Sequence, residues 1–362
     1  MKIHQVRTNN KNFIKTNRFW AGVLLAQFLL FYILSKFDIA IAVFEKFFEI
    51  QKNIHQKIFS VFLFSVGDLL YILAGFFFIY FLFKVVKKKS RKSALIKLLI
   101  GVNIFYFLYQ LFWGMLYFQP PLLAKLSTEE ITLQETKTLT LKYLDHCRNT
   151  RALVHEDSQG VFRFEDLKVI ETEILQRQKE LPEFLTSKKD TEINSFKPSL
   201  FKGVMSFTGI LGYYNPFTAE AQYNAELPAT YLPYTLAHES SHQLGYAREQ
   251  EANFIGYLLG KDSKNEDLKY STQYFVLKSL LRSLAEKNPE FVNEVLANYS
   301  DGMKRDREAE IAFVKAHEGL LEVFFGFTND LFLKSNQQDG SITYSYFVDL
   351  LVRFERDPAA YK

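Results

Sequence analysis

The sequence predicts a mainly α-helical protein, with three N-terminal transmembrane helices followed by a mostly helical soluble domain that contains a small β element. Two observations support this fold class. The 37 phenylalanines of the 362-residue chain are concentrated in its first third, where they lie in long apolar runs with few charges. In the rest of the chain, apolar residues mostly recur at helical spacing, except in one glycine- and proline-containing region.

Three apolar segments, residues 19–35, 64–86 and 98–118, are long enough to cross a bilayer, which takes about 20 helical residues. The first shares a basic start with signal peptides. No small-residue cleavage site follows it, because the chain continues as Lys36-Phe37-Asp38. We therefore predict three retained spans and assign residues 1–118 to a membrane anchor, whose partner is the lipid bilayer.

Charges beside the spans predict their orientation. The stretch before the first span and the connection between the second and third are basic and contain no acidic residue, whereas the connection between the first and second is mixed. Because cytoplasmic segments carry an excess of Lys and Arg, we place the N-terminus and the second connection in the cytoplasm. Three crossings then leave the C-terminal domain extracytoplasmic. The basic residues are Lys2, Arg7, Lys11, Lys15, Arg18, Lys84, Lys87, Lys88, Lys89, Arg91, Lys92 and Lys97.

The soluble part begins after Pro120 and Pro121, since proline cannot continue the third helix. We assign residues 119–126 to a linker and residues 127–362 to the soluble domain. Ser127 and Glu130 fit a capping box, which predicts a helix to about residue 154. Residues 198–233 combine glycine, proline, aromatic and β-branched residues, which favour short strands and turns. Further helices are predicted at about residues 165–182, 233–246, 249–260, 268–284, 302–334 and 344–356.

Composition excludes some classes of protein. The formal net charge is only +4, with Lys and Arg nearly balanced by Asp and Glu, so we predict no nucleic-acid partner. Cys147 is the only cysteine, which excludes an internal disulfide and a cysteine-rich zinc ribbon. We interpret it as a small apolar residue.

The segment His238-Glu239-Ser240-Ser241-His242 carries the strongest chemical signal. On a helix the two histidines lie one turn apart on one face, so both imidazoles can reach one ion. A zinc ion lowers the pKa of its bound water toward 7, and Glu239 is placed to take the proton of that water during attack on a carbonyl. We predict Zn²⁺ on His238 and His242, Glu239 as the catalytic base, and a peptide or protein as the substrate.

A third metal ligand is available in the next helix, as either Glu249 or Glu251. Gly245 can end the histidine helix in a left-handed conformation and fold the chain back toward the metal. Glu249 lies on a face of small residues, and Asn253 on that face can hydrogen-bond a ligand histidine. Glu251 lies on an apolar face, where metal binding would also explain a carboxylate. We prefer Glu249 and leave Glu251 open.

Two resemblances follow from these residues. The HExxH segment followed by E-x-x-A-N at residues 249–253 resembles the zincin group, in which the glutamate of E-x-x-A-[DN] is the third zinc ligand. Together with Asn-Pro-Phe-Thr-Ala-Glu-Ala at residues 215–221, these segments resemble the bacterial family DUF3810, whose members are predicted integral-membrane metallopeptidases. The resemblance implies a zincin-like soluble domain, a place in the bacterial inner membrane, and metal ligands at His238, His242 and Glu249.

Some alternatives stay open at this point. The chain can instead be a non-catalytic, membrane-tethered zinc-binding or scaffold protein, although a purely structural site needs no base such as Glu239. Residues 213–224 can pair with an extended peptide or form a structural turn unit. No spacing singles out the residue that stabilises the oxyanion. The candidates for that role are Tyr246, Tyr257, His317, Tyr344 and Tyr346.

Overall fold

The structure is a computed structural model that describes residues 14–182, 188–336, 338 and 346–358. Within these residues the chain forms fourteen α-helices and three short strands, which confirms the mainly α class. The basic N-terminal stretch at Lys2, Arg7 and Lys11 and the tyrosine at position 344 lie outside the described residues.

Three of the first four helices are long and apolar enough to cross a membrane, which confirms three candidate spans. The third candidate span begins before the predicted residue 98, because its helix already starts at Arg91 and includes Lys92 and Lys97. It also ends earlier than predicted, and a 3-10 helix at Gly114–Phe118 follows. The spans are α1 Asn17–Leu34, α3 Val66–Val86 and α4 Arg91–Phe112, with α2 Asp38–Phe59 between the first two.

Helix α2 occupies the mixed-charge connection between the first two spans, where the sequence analysis predicts no helix. Three of its buried side chains bond to the soluble part: Gln51 donates to the Pro216 carbonyl at 3.0 Å, and Lys52 Nζ donates to the Lys189 carbonyl at 3.0 Å. Gln56 donates to Ser195 Oγ at 3.4 Å. Helix α2 also packs against α4 and the 3-10 helix that follows it, so it links the candidate spans to the rest of the chain.

The soluble part is mostly helical, as predicted, with a small sheet in the middle. Another 3-10 helix, Leu122–Lys125, lies in the predicted linker. The strands are β1 Phe196–Pro198, β2 Gly212–Asn215 and β3 Glu220–Tyr223. The helices are α5 Leu133–Arg151, α6 Leu167–Gln178, α7 Lys202–Thr208, α8 Leu232–Gln243, α9 Glu249–Gly260, α10 Glu266–Leu284, α11 Pro289–Ala297, α12 Asp301–His317, α13 Leu320–Ser335 and α14 Tyr346–Arg356.

Helix α5 is capped by Thr132 and not by Ser127. The Glu135 N–H donates to Thr132 Oγ1 at 3.2 Å, and the Thr132 N–H donates to Glu135 Oε2 at 2.8 Å. The predicted start at Ser127 is wrong because the carbonyls of residues 127, 129 and 130 accept hydrogen bonds from Arg353 and Arg356. These tertiary contacts hold the stretch outside the helix.

Three other helical elements differ from the predictions. The single helix predicted for residues 302–334 is two helices, α12 and α13, because the backbone at Glu318 and Gly319 is extended. Helix α7 lies within the region predicted as strands and turns, and α11 was not predicted.

The sheet has the strand order β1-β3-β2, with β1 parallel and β2 antiparallel to β3, so β2 is an edge strand. Helix α8 lies at the centre of the soluble part and contacts α6, α9, α10 and both β2 and β3. It buries Leu236 and Ala237 in the main apolar core. The helix that carries both histidines is therefore surrounded by protein on several sides.

The second span is joined to the sheet by hydrogen bonds at its N-terminus. Glu220 on β3 accepts from the Gly67 N–H at 2.7 Å and from the Val66 N–H at 3.2 Å. Asp68, in the same turn, accepts from the Leu200 N–H at 2.7 Å and from Tyr213 on β2. A carboxylate at a helix N-terminus is stabilised by the unpaired N–H groups there, so the sheet and α3 are held together as one unit.

Candidate metal centre

Helix α8 ends directly after the histidine pair because of Gly245. This glycine has a φ of 92°, and the Tyr246 N–H donates to the Ser241 carbonyl at 3.2 Å across the turn. A side chain at position 245 would also lie 2.8 Å from the Phe48 ring of α2. The chain therefore reverses after α8, as the sequence analysis expects, and α9 returns alongside it.

Helix α9 lies very close to α8 because Gly256 has no side chain. A Cβ atom at this position would lie 3.1 Å from the backbone nitrogen of His238 and 3.2 Å from its Cα atom. Close contact at this point places the first turn of α9 against the histidine pair.

The structure brings together His238, His242 and Glu249. The His238 Nε2 atom lies 3.3 Å from Glu249 Oε2, and the His242 Nε2 atom lies 3.7 Å from Glu249 Oε1. One ligand atom from each of the three residues lies within 4.8 Å of the other two. Two imidazole nitrogens and a carboxylate oxygen are a donor set that zinc binds.

Glu251 has a different place in the structure. Its Oε1 atom accepts a hydrogen bond from the Leu122 N–H at 2.9 Å and forms an ion pair with Arg248 at 3.0 Å. The side chain is buried, and it attaches the segment after the third span to the start of α9. The geometry therefore joins Glu249, and not Glu251, to the histidines.

Both imidazoles are oriented through their Nδ1 atoms. The Nδ1 atom of His238 lies 2.8 Å from Asn253 Oδ1, and that of His242 lies 2.6 Å from the Tyr246 carbonyl. Tyr234 donates to the Asn253 carbonyl at 2.9 Å and so fixes this residue in turn. With Nδ1–H donating to these acceptors, each imidazole turns its Nε2 atom toward Glu249, which is the orientation that a ligand histidine needs.

Glu239 lies between α8 and the edge strand β2. Its side chain is 3% exposed, and its Oε2 atom has no hydrogen-bond partner among the described residues. A Cβ atom at Gly212 on β2 would lie 2.7 Å from the other oxygen, Oε1, so only glycine leaves room here. A buried carboxylate oxygen without a partner is costly, and a water held by a metal would satisfy it.

The charges in the site depend on burial and on one another. Burial raises the pKa of Glu239 to about 8 and lowers that of His242 to about 4. Burial also lowers the pKa of His238, but the hydrogen bond and charge of Glu249 outweigh this and raise it to about 8. Burial raises the pKa of Glu249, whereas its bond to His238 and the charges of both histidines lower it overall. The carboxylate of Glu249 is thus held ionised. The proton on His238 balances its negative charge, and a divalent cation bound by the three residues would replace that proton.

Sequence reasoning missed two residues beside the site. The ring of Trp113, which follows the third span, meets the His242 ring edge-on at 5.7 Å between centroids. The Glu249 N–H donates to Gln338 Oε1 at 3.1 Å. Both residues are distant in sequence from the histidines, so no local motif connects them to the site. The only sequence feature that could have drawn attention to Trp113 is its position at the end of a candidate span.

Of the oxyanion candidates, Tyr257 faces away from the metal ligands. Its hydroxyl bonds to Tyr143 and Glu355 in the core. His317 packs against Phe207 and Phe313 at the end of α12. Tyr246 contributes its carbonyl to His242, as described above.

The sequence model of one protein family matches residues 44–352, which is most of the chain. The family is described as a protein of unknown function, DUF3810. No curated protein and no solved structure matches the chain.

Proposed function

The chain belongs to the DUF3810 family, and we propose that it is a membrane-anchored zinc metallopeptidase whose metal is held by His238, His242 and Glu249. One observation carries the proposal: the ligand atoms of these three residues converge within 4.8 Å beside the buried carboxylate of Glu239. Catalytic zinc sites commonly use two histidines and one carboxylate and leave a position open for water. A purely structural zinc site has no need of a base such as Glu239.

The residues take distinct roles in peptide hydrolysis. When bound, zinc supplies a Lewis acid and lowers the pKa of a water molecule toward 7. Glu239 is placed to accept the proton of the attacking water at Oε2, which has no hydrogen-bond partner among the described residues, and to pass that proton to the leaving amine. Asn253 and the Tyr246 carbonyl keep the imidazoles in the tautomer that presents Nε2.

The sheet offers a place for an extended substrate. Strand β2 is the edge of the sheet, and its first residue, Gly212, lies against Glu239. An extended peptide can add to such an edge through main-chain hydrogen bonds, which would bring its carbonyls past the base. A helix with both histidines packed beneath an edge strand is the arrangement that we propose as zincin-like.

We place the site on the outer side of the bacterial inner membrane. The three candidate spans and the Lys- and Arg-rich connection before α4 support this orientation. A reporter enzyme fused to the C-terminus tests it: activity of a reporter that works only outside the cytoplasm is expected, and activity of a cytoplasmic reporter contradicts the orientation.

The function is tested on the full chain purified in detergent. We expect about one zinc per wild-type chain by mass spectrometry of the metal, almost none in His238→Ala, and normal zinc in Glu239→Gln. The wild type should cleave members of a peptide library, and Glu239→Gln should reduce cleavage by at least about a hundredfold. Unchanged zinc in His238→Ala contradicts the site. Normal zinc without cleavage by the wild type would favour the non-catalytic zinc-binding or scaffold alternative.

A further inference from the structure

We propose that α7 and α13 form a second membrane contact, which lies in the lipid headgroup region beside the spans on the side of the soluble domain. We call this the α7–α13 surface and define it by Val204, Phe207, Val323, Phe324, Phe327 and Leu331. The proposal is independent of the metal centre.

The α7–α13 surface is apolar and uncovered among the described residues. Phe324, Phe327 and Leu331 lie on one face of α13 and are 59%, 63% and 51% exposed. Val204 and Phe207 on α7, which packs against α13, are 55% and 44% exposed. Soluble surfaces rarely expose so large a continuous apolar patch, so something covers it.

The length of α13 decides how it can contact lipid. Its 16 residues make a helix of about 24 Å, which is shorter than the roughly 30 Å of a hydrocarbon core. Glu322, Asp330 and Lys334 on the same helix are also unsuited to the bilayer centre. A helix with these properties lies in the plane of the membrane interface.

Hydrogen bonds place this surface at the level where the spans leave the membrane. The Leu200 N–H, just before α7, donates to Asp68 in the first turn of α3. At the end of α13, Asn336 accepts a hydrogen bond at 3.0 Å from Tyr109 in the last turn of α4. Since α3 begins and α4 ends on the same side of the membrane, both helices of the surface are attached at the same boundary.

A third apolar segment lies at this boundary and supports lipid as the occupant. The connection between α2 and α3 exposes Val61 and Leu63 at 72% and 93%. Lys197 donates to the carbonyls of Ser60 and Phe62 and ties this connection to β1. Apolar side chains from three separate segments around the span ends match a continuous bilayer better than one protein partner.

The experiment uses a single spin label on the full chain in phosphatidylethanolamine and phosphatidylglycerol vesicles. Cys147 is the only cysteine and is buried, so Cys147→Ala gives a background without reactive thiols. A label on Phe327→Cys should collide readily with oxygen and poorly with a water-soluble nickel chelate, as expected about 5–10 Å below the headgroup boundary. Leu153→Cys, at a leucine that is 64% exposed after α5, is the matched control and should collide readily with the chelate.

Two results would overturn the proposal. If the chelate reaches the label at position 327 as easily as the label at 153, the surface faces water. If neither oxygen nor the chelate reaches position 327, protein covers the surface, either a partner or a second copy. Because both labelled side chains are exposed, the substitutions should cost little stability, and the thermal unfolding midpoint of each labelled variant in detergent reports its folding.

Discussion

At the residue scale, Glu249 and Glu251 have different partners although they lie two positions apart on α9. Glu249 faces the two imidazoles, whereas Glu251 accepts the Leu122 N–H and pairs with Arg248. We expect Glu249→Ala to lose zinc. Glu251→Ala should keep zinc but lower the free energy of unfolding by about 1–3 kcal/mol, because a buried N–H loses its acceptor. Zinc content and thermal unfolding in detergent separate the two effects, and loss of zinc from folded Glu251→Ala would contradict the ligand assignment.

Gly256 gives a second prediction at this scale. A methyl group there meets the backbone of His238 at 3.1–3.2 Å, and backbone cannot rotate away as a side chain can. We expect Gly256→Ala to push α9 outward, to weaken zinc binding by at least about tenfold, and to leave overall helicity intact. Competition with a chromogenic chelator measures the affinity. Gly203→Ala on α7, where nothing lies within 4 Å, is the matched control and should bind zinc as the wild type does.

At the element scale, α2 contains a buried lysine whose ionisation should affect stability. Burial lowers the pKa of Lys52 below its ordinary 10.5, and the charge of Glu49 opposes this only in part. Between the folded pKa and 10.5 the unfolded chain binds more protons than the folded chain. The free energy of unfolding should therefore rise as pH rises through this alkaline window.

The variant Lys52→Met removes this contribution. We expect the unfolding midpoint of the wild type to rise relative to that of Lys52→Met as the pH rises toward the ordinary lysine value of 10.5. Lys46→Met, at an exposed lysine on the same helix, controls for the loss of one positive charge. Parallel pH profiles of the wild type and Lys52→Met would disprove the effect.

Elements with strong local signals were predictable from the sequence, and those fixed by distant contacts were not. The histidine spacing on α8, Gly245 and the small residues of α9 all act within a few positions, so both helices follow from them, whereas the choice between Glu249 and Glu251 needed the structure. The capping box predicted for α5 at Ser127 was wrong, because Arg353 and Arg356, more than two hundred residues away, bind the carbonyls of this stretch and hold it outside the helix. Helix α2 depends on partners more than a hundred residues away, and Trp113 meets His242 only after folding.

At the scale of the whole molecule, the soluble domain and the anchor share one packing unit. A chain of residues 119–362 would lack Phe48, Gln51 and Gln56, which contact Gly245, the turn between β2 and β3, and the residue before β1. We expect this chain to unfold at a clearly lower temperature than the full chain, or to aggregate. Deletion of residues 1–35 alone should have a smaller effect, since it keeps α2. Equal unfolding midpoints for the 119–362 chain and the full chain would show that the domain is independent.

The contact in which Glu220 of β3 accepts hydrogen bonds from the first turn of α3 has a consequence for substrate choice under the proposed function. It holds the sheet at the start of the second candidate span, and the ring contact between Trp113 and His242 holds the histidine helix near the end of the third. If the chain is the membrane-anchored peptidase that we propose, its site lies at a fixed distance from the bilayer surface. Such a peptidase would select the bond to cut in a membrane-anchored substrate mainly by the distance of that bond along the chain from the membrane surface, and less by the side chains around it.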